Sequence, residues 1–232
     1  GGFVINGQSA GDYSGYSVSG AGDVNGDGLA DLIVGAPLGV PNSATDGGRS
    51  YVVFGKSTNT AINLSAIEAG TGGFVINGQS ANDNSGYSVS GAGDVNGDGL
   101  DDLIVGSPYS DPNTANGNDG RSYVVFGKST NTAINLSAIA PSTGTGTGGF
   151  VINGQSANDQ SGWSVSSAGD VNGDGLADLI VGALGSDPAD CLDAGRSYVV
   201  FGKSTNTAIP LYAVANGTGG FVINGVAVDD NS

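Results

Sequence analysis

The sequence predicts an all-β repeat protein built from small, four-stranded antiparallel sheets. Three observations carry that prediction. The heptapeptide GGFVING recurs at Gly1, Gly72, Gly148 and Gly219. Between its copies lie short runs of Val, Ile, Leu, Tyr and Phe bounded by Gly, Asn or Asp, the pattern of strands and turns, with no sustained helical periodicity. Glycine makes up 44 of the 232 residues and sits at fixed places between those runs, as turns require and a flexible low-complexity chain does not.

Each unit repeats the same elements in the same order. SGYSVSGAGD, or SGWSVSSAGD in the third copy, supplies a first strand that alternates bulky and small residues, Tyr16–Ala21 in the first copy. Asp31–Gly35 supplies a second strand whose Leu-Ile-Val run is of the kind buried on both faces. Arg49–Phe54 alternates around Tyr51 and Val53 as a third, and Phe3–Ile5, between Gly2 and Gly7, is the fourth type. Ala61–Ile67 fits either a short helical turn or an edge strand.

The units run 1–71, 72–147 and 148–218, with 219–232 a partial fourth, all in one segment over 1–232. A four-stranded meander cannot cover both of its own faces, so successive sheets must stack. Unit size and strand count therefore point to β-propeller blades. Three units fall short of the roughly four blades a ring needs. The stretch VAVDDNS after the last heptapeptide parallels QSANDNS at 79–85, where the next blade begins, so further blades or self-association are expected. The framework is nearly identical between copies, whereas the loop after the second strand varies: Pro37–Gly48, Pro108–Gly120 and Leu184–Gly195.

The chemistry lies in three nonapeptides, DVNGDGLAD at 23–31, DVNGDGLDD at 94–102 and DVNGDGLAD at 170–178. Oxygen-bearing side chains fall at positions one, three, five and nine: Asp23, Asn25, Asp27 and Asp31; Asp94, Asn96, Asp98 and Asp102; Asp170, Asn172, Asp174 and Asp178. Alternate spacing lets a curled loop turn each inward, and Gly28 permits the sharp turn. The carbonyls of Leu29, Leu100 and Leu176 at position seven complete the candidate ligand sets. All-oxygen, carboxylate-rich ligation favours Ca²⁺ over Mg²⁺, which demands stricter octahedral geometry, so three calcium sites are expected, one per repeat. Zinc and copper favour imidazole or thiolate, and the chain has no histidine and one cysteine. Asn-Gly and Asp-Gly are also ordinary hairpin residues, but one four-ligand register repeated three times is not explained by turns alone. An EF-hand needs Glu at the twelfth position, where Val34 stands, and joins helices rather than strands, which also excludes a dockerin-like loop.

YSVSGAGDVNGDGLADLIVGAP followed by YVVFG resembles an FG-GAP repeat. The matching residues are Phe54-Gly55 and Gly35-Ala36-Pro37, with Gly106-Ser107-Pro108 in the second copy and Gly182-Ala183-Leu184 in the third, which lacks the proline. The resemblance covers essentially the whole chain. FG-GAP repeats form the N-terminal propeller of integrin α subunits and of related bacterial surface proteins. The resemblance therefore implies a ring of blades, calcium in the hairpins between first and second strands, and a role in adhesion or scaffolding outside the cell or at its surface. Its protein or glycan ligand is expected on the face opposite the calcium loops.

Composition narrows the function further. A net charge of −16 leaves no basic patch for nucleic acid. All six basic residues occupy two repeated positions, Arg49, Arg121 and Arg196, then Lys56, Lys128 and Lys203, and read as parts of the unit. Cys191 cannot form an intrachain disulfide. No apolar run approaches the ~20 residues of a membrane span. Without histidine or a neighbouring activating lysine no serine is a credible nucleophile, so no enzyme is expected. Tyr16, Tyr87 and Trp163 read as packing between blades, with sugar stacking as the alternative, and Asp12, Asp83 and Asp159 as turn caps. Two other functions remain open, a calcium-dependent lectin and an accessory propeller of a larger secreted hydrolase.

Overall fold

The computed structural model describes residues 2–41, 45–112, 117–142, 145–188 and 194–227. Cys191, the middle of each variable loop and the tail from 228 lie outside the described residues. After a short strand β1 (Ile5–Asn6) the chain forms β2 (Ser17–Gly22), β3 (Asp31–Ala36), β4 (Arg49–Val53), β5 (Ile62–Asn63), helix α1 (Leu64–Glu68) and β6 (Gly73–Asn77). The second copy gives β7 (Ser88–Gly93), β8 (Asp102–Ser107), β9 (Arg121–Val125), β10 (Ile134–Asn135), α2 (Leu136–Ile139) and β11 (Gly149–Asn153). The third gives β12 (Ser161–Gly169), β13 (Asp178–Ala183), β14 (Arg196–Val200), β15 (Ile209–Pro210), α3 (Leu211–Ala215) and β16 (Gly220–Asn224). The fold is all-β, with sheets ordered as propeller blades.

Each sheet is an antiparallel meander, β2-β3-β4-β6, β7-β8-β9-β11 and β12-β13-β14-β16. The fourth strand comes from the heptapeptide that opens the next sequence unit, so a unit begun at GGFVING straddles two sheets. Val53 pairs with Gly73 and Arg49 with Asn77 in the first sheet, and the third repeats this as Val200 with Gly220 and Arg196 with Asn224. The first heptapeptide has no such third strand beside it. Of the expected strand Phe3–Ile5 only Ile5 is retained, in β1, which pairs in parallel with β5. The ambiguous 61–67 segment is both things at once, the two-residue strand β5 followed by α1. Its counterparts lace the blades together, since β10 pairs with β6 of the preceding sheet and β15 with β11.

Packing explains the Leu-Ile-Val run. Ile33 and Val52 face the second sheet, in one core with Val105, Tyr123 and Val125, while Val34 and Tyr51 face the other way with Leu64 and Ile67. Burial of both faces requires close approach at the strand end. A Cβ on Gly35 would lie 2.2 Å from the carbonyl oxygen of Gly86, and one on Gly106 2.1 Å from that of Gly162, so only glycine fits where the next blade's backbone crosses. Serine hydroxyls extend the lacing along the first strands: Val89 N–H donates to Ser17 Oγ at 3.0 Å, and Val165 N–H to Ser88 Oγ at 3.1 Å.

Candidate metal centre

The three acidic nonapeptides join first to second strands, so all lie at the same end of their sheets. Each curls around its own first residue. Asp23 Oδ1 accepts from the amides of Gly26 (2.8 Å) and Asp27 (3.1 Å), and its Oδ2 from Gly28 (2.8 Å). Asn25 Oδ1 accepts from Asp27 N–H at 2.7 Å, and Asp27 Oδ1 from Leu29 N–H at 2.9 Å. Gly28 takes φ +86°, the left-handed conformation the turn requires. The same bonds recur around Asp94, Asn96 and Asp98 and around Asp170, Asn172 and Asp174.

The ninth residue is placed differently. Asp31, Asp102 and Asp178 are fully buried at the start of the second strand. Each accepts backbone amides from two separate segments: Asp31 from Val24 (3.0 Å) and Gly55 (2.7 Å), Asp102 from Val95 (2.9 Å) and Gly127 (2.8 Å). Asp178 accepts from Val171 (2.8 Å), its neighbour Asn172 (3.3 Å) and Gly202 (2.9 Å). The glycine that follows the Phe of each FG pair therefore ties its loop to the base of the hairpin. Burial pushes the Asp31 carboxyl above its ordinary range against those two amides, and neighbouring Asp27 and Asp23 push it further. For Asp102 the same causes, with Asp98 and Asp94 as neighbours, raise it to about 7.

Positions one and three are half-buried in the first two loops, as Asp23, Asn25, Asp94 and Asn96, and exposed in the third, as Asp170 and Asn172. Asp27, Asp98 and Asp174 are exposed, as is Leu29, while Leu100 and Leu176 are half-buried. Leu100 leans on Gly26 of the preceding loop and Leu176 on Gly97. Among the described residues no group of three or more acidic, histidine or cysteine side chains is arranged to hold a metal ion. The carboxylates instead face the loops' own amides. The donor chemistry nevertheless fits a hard cation. Each loop offers three carboxylates and one amide oxygen, and its buried Asp is bonded to neutral amides, with no basic side chain among its partners.

Sequence reasoning missed two contacts, one made by Asp101 and one by Tyr109. The eighth position of the second loop is Asp101, where its counterparts are Ala30 and Ala177. Its Oδ2 accepts from the Asp23 amide of the first loop at 2.7 Å, across the blade junction. At the opposite end of the sheets the first-strand aromatics form a ladder, with Tyr16 and Tyr87 ring centres 4.9 Å apart and Tyr87 and Trp163 4.7 Å apart. The expected packing between blades is present, and Tyr109 of the second variable loop joins edge-on to Tyr87 and Trp163. The repeated cations do belong to the unit: Arg49 pairs with Glu68 at 3.0 Å, and Lys128 and Lys203 lie over Phe74 and Phe150 of the preceding blade. Asp83 and Asp159 cap turns as expected, accepting from the amides of Ser80 and Ser156.

The FG-GAP repeat model matches residues 14–53, 85–125 and 161–200, each match spanning the first three strands of one sheet. Among curated proteins the chain is 33% identical to integrin alpha-PS5 of Drosophila melanogaster over 79% of its length, and 31% identical to integrin alpha-PS2 of the same organism over 80%. It is 30% identical to mouse integrin alpha-IIb over 78%. The chain spans only 16%, 12% and 16% of those three relatives.

Proposed function

Because the chain belongs to the FG-GAP repeat family, with integrin alpha chains among its relatives, we propose that it is a calcium-stabilised propeller segment acting in adhesion or scaffolding outside the cell. Calcium is held, one ion per repeat, by Asp23, Asn25, Asp27, the Leu29 carbonyl and Asp31, and by their counterparts in the second and third loops. When bound, the ion would supply a positive charge that relieves repulsion among the three carboxylates of one loop. The protein's own residues orient that charge: amides of the loop fix the first carboxylate, and strand-end amides fix the ninth.

One observation carries this reading. The acidic loops, all of one sequence register, occupy one end of the sheets, while the variable loops and the aromatic ladder occupy the other. The division separates a part that holds the fold from a part free to meet a protein or glycan. No helix among the described residues is long and apolar enough to cross a membrane. The exposed rings of Tyr13 and Tyr16 at the ladder end favour a glycan as the second reading, a calcium-dependent lectin.

Thermal melts in calcium and in chelator, with elemental analysis of the metal, test the first reading. Extracellular modules bind calcium at roughly 10⁻⁴ to 10⁻³ M, and at a hundredfold excess over Kd one site adds about 2.7 kcal/mol. An unchanged Tm after verified metal removal overturns it. Asp27→Ala is expected to remove one ion and leave two. A glycan array read with and without chelator separates the lectin from the protein-binding module.

A further inference from the structure

We propose that Asp101 is a positioning residue for the first loop, reaching across the blade junction to make that loop the tightest of the three cation sites. This inference rests on the calcium reading above. Asp101 belongs to the second loop by sequence, but its carboxylate leaves that loop. Its Oδ2 accepts from Asp23 N–H at 2.7 Å, while its own N–H donates to the Asp23 carbonyl at 3.2 Å. Both backbone groups of the first candidate ligand are thus gripped by one residue of the next blade.

The other junction is the built-in control. There Ala177 N–H donates to the Asp94 carbonyl at 2.9 Å, but a methyl group stands where the carboxylate would be. Gly22, a glycine that recurs as Gly93 and Gly169, leaves room for the Asp101 carboxylate. A Cβ on Gly22 would lie 2.1 Å from Asp101 Oδ2, and Gly22 sits at φ +72°. Among the described residues no cationic side chain pairs with Asp101. Its negative charge stands beside the first loop in addition to Asp23, Asp27 and Asp31.

Two effects follow from one side chain. The added bond to Asp23 N–H fixes that backbone before a cation arrives, which lowers the ordering cost of binding. The extra unit charge attracts a divalent ion, an effect that even screened surface electrostatics makes worth roughly tenfold in affinity. The first loop should therefore fill at lower calcium than the third.

A calcium chloride titration of the 232-residue chain, followed by amide NMR shifts of Gly28, Gly99 and Gly175, reads the three loops separately. In the unmodified chain the Gly28 midpoint is expected roughly tenfold below that of Gly175. Asp101→Asn keeps an acceptor for the Asp23 amide but removes the charge, and should weaken the first loop several-fold; Asp101→Ala removes both and should weaken it further. Ala177→Asp should transplant the device and tighten the second loop, a gain that a merely structural role for Asp101 does not produce. Melts in chelator verify that each variant folds. Equal midpoints at Gly28 and Gly175, or an Asp101→Asn shift as large at Gly99 as at Gly28, overturn the inference while leaving the calcium reading intact. If no loop responds in the unmodified chain, the calcium reading fails and this inference falls with it.

Discussion

The first two acidic loops and the third share every residue but the eighth, and the same hydrogen bonds around their first aspartate, yet differ in cover. Val24 and Val95 are fully buried, whereas Val171, at the same position, is 48% exposed. The cover comes from the blade that follows: Lys128 N–H donates to the Val24 carbonyl at 2.8 Å, and Ala177 N–H to the Asp94 carbonyl. No described blade follows the third loop. The loop conformation is therefore local, set by one aspartate and its amides, while the burial that stabilises it is lent by the neighbour.

The largest expected effect sharpens that contrast. Asp102→Ala, measured in chelator so that metal loss does not contribute, strands the buried amide of Val95 and the half-buried amide of Gly127. At about 1–3 kcal/mol for each unsatisfied group, the loss is about 4 kcal/mol in denaturant unfolding. Asp178→Ala should lose about half as much, because water reaches Val171. Equal losses would mean that the neighbouring blade adds nothing to these bonds.

Beside the buried Asp102, raised to about 7, a further part of the pH dependence should come from the other end of the sheets. Burial raises Asp83 and Asp159 from 3.8 to about 6. Around Asp83 stand Arg121, Ser110 and the Ser80 amide, which favour its charge, and Asp111, which opposes it. Around Asp159 stand Ser186, Arg196 and the Ser156 amide, opposed by Asp187. Because the folded value exceeds the unfolded one, the folded chain binds more protons between about pH 4 and 6, and stability falls as pH rises through that window. Asp83→Asn should flatten the fall, by up to about 3 kcal/mol at pH 7. A stability that instead rises between pH 4 and 6 and is unchanged by Asp83→Asn would show that this carboxylate is not held protonated.

Smaller again is the packing difference itself. Val24→Ala removes two methyl groups from a sealed core and should cost about 2 kcal/mol, whereas Val171→Ala should cost less than about 0.5. Much of this was legible in the sequence. The Leu-Ile-Val run announced burial on both faces, and the spacing of Asp23, Asn25, Asp27 and Asp31 announced the loop. The blade that each GGFVING closes was legible from the QSANDNS-like stretch after it, but the parallel pairing of β5, β10 and β15 with neighbouring strands was not, because two-residue strands leave too short a pattern. Nor was the Asp101 contact, since a bond between two loops 78 residues apart leaves no periodic trace. The ladder could be read at Tyr16, Tyr87 and Trp163, but Tyr109 enters it from the loop that does not repeat.

The smallest effect marks where the contrast should vanish. Lys128 lies 4.3 Å from the ring centre of Phe74 and Lys203 4.5 Å from that of Phe150, and both rings are fully buried. Each ammonium also donates to the hydroxyl of a threonine four residues on, Thr132 and Thr207. Burial lowers both lysines, Lys203 to about 8, so each cation is partly desolvated over its ring. Both belong to junctions that are complete within the chain. Lys128→Gln and Lys203→Gln should therefore cost the same, about 0.5–1 kcal/mol each. Lys56 lies 4.7 Å from Phe3, which is only half-buried, so Lys56→Gln should cost less. Chemical denaturation of the three variants at pH 7 checks the order. If Lys203→Gln costs much less than Lys128→Gln, the weaker cover of the third loop extends across its whole blade rather than ending at the loop.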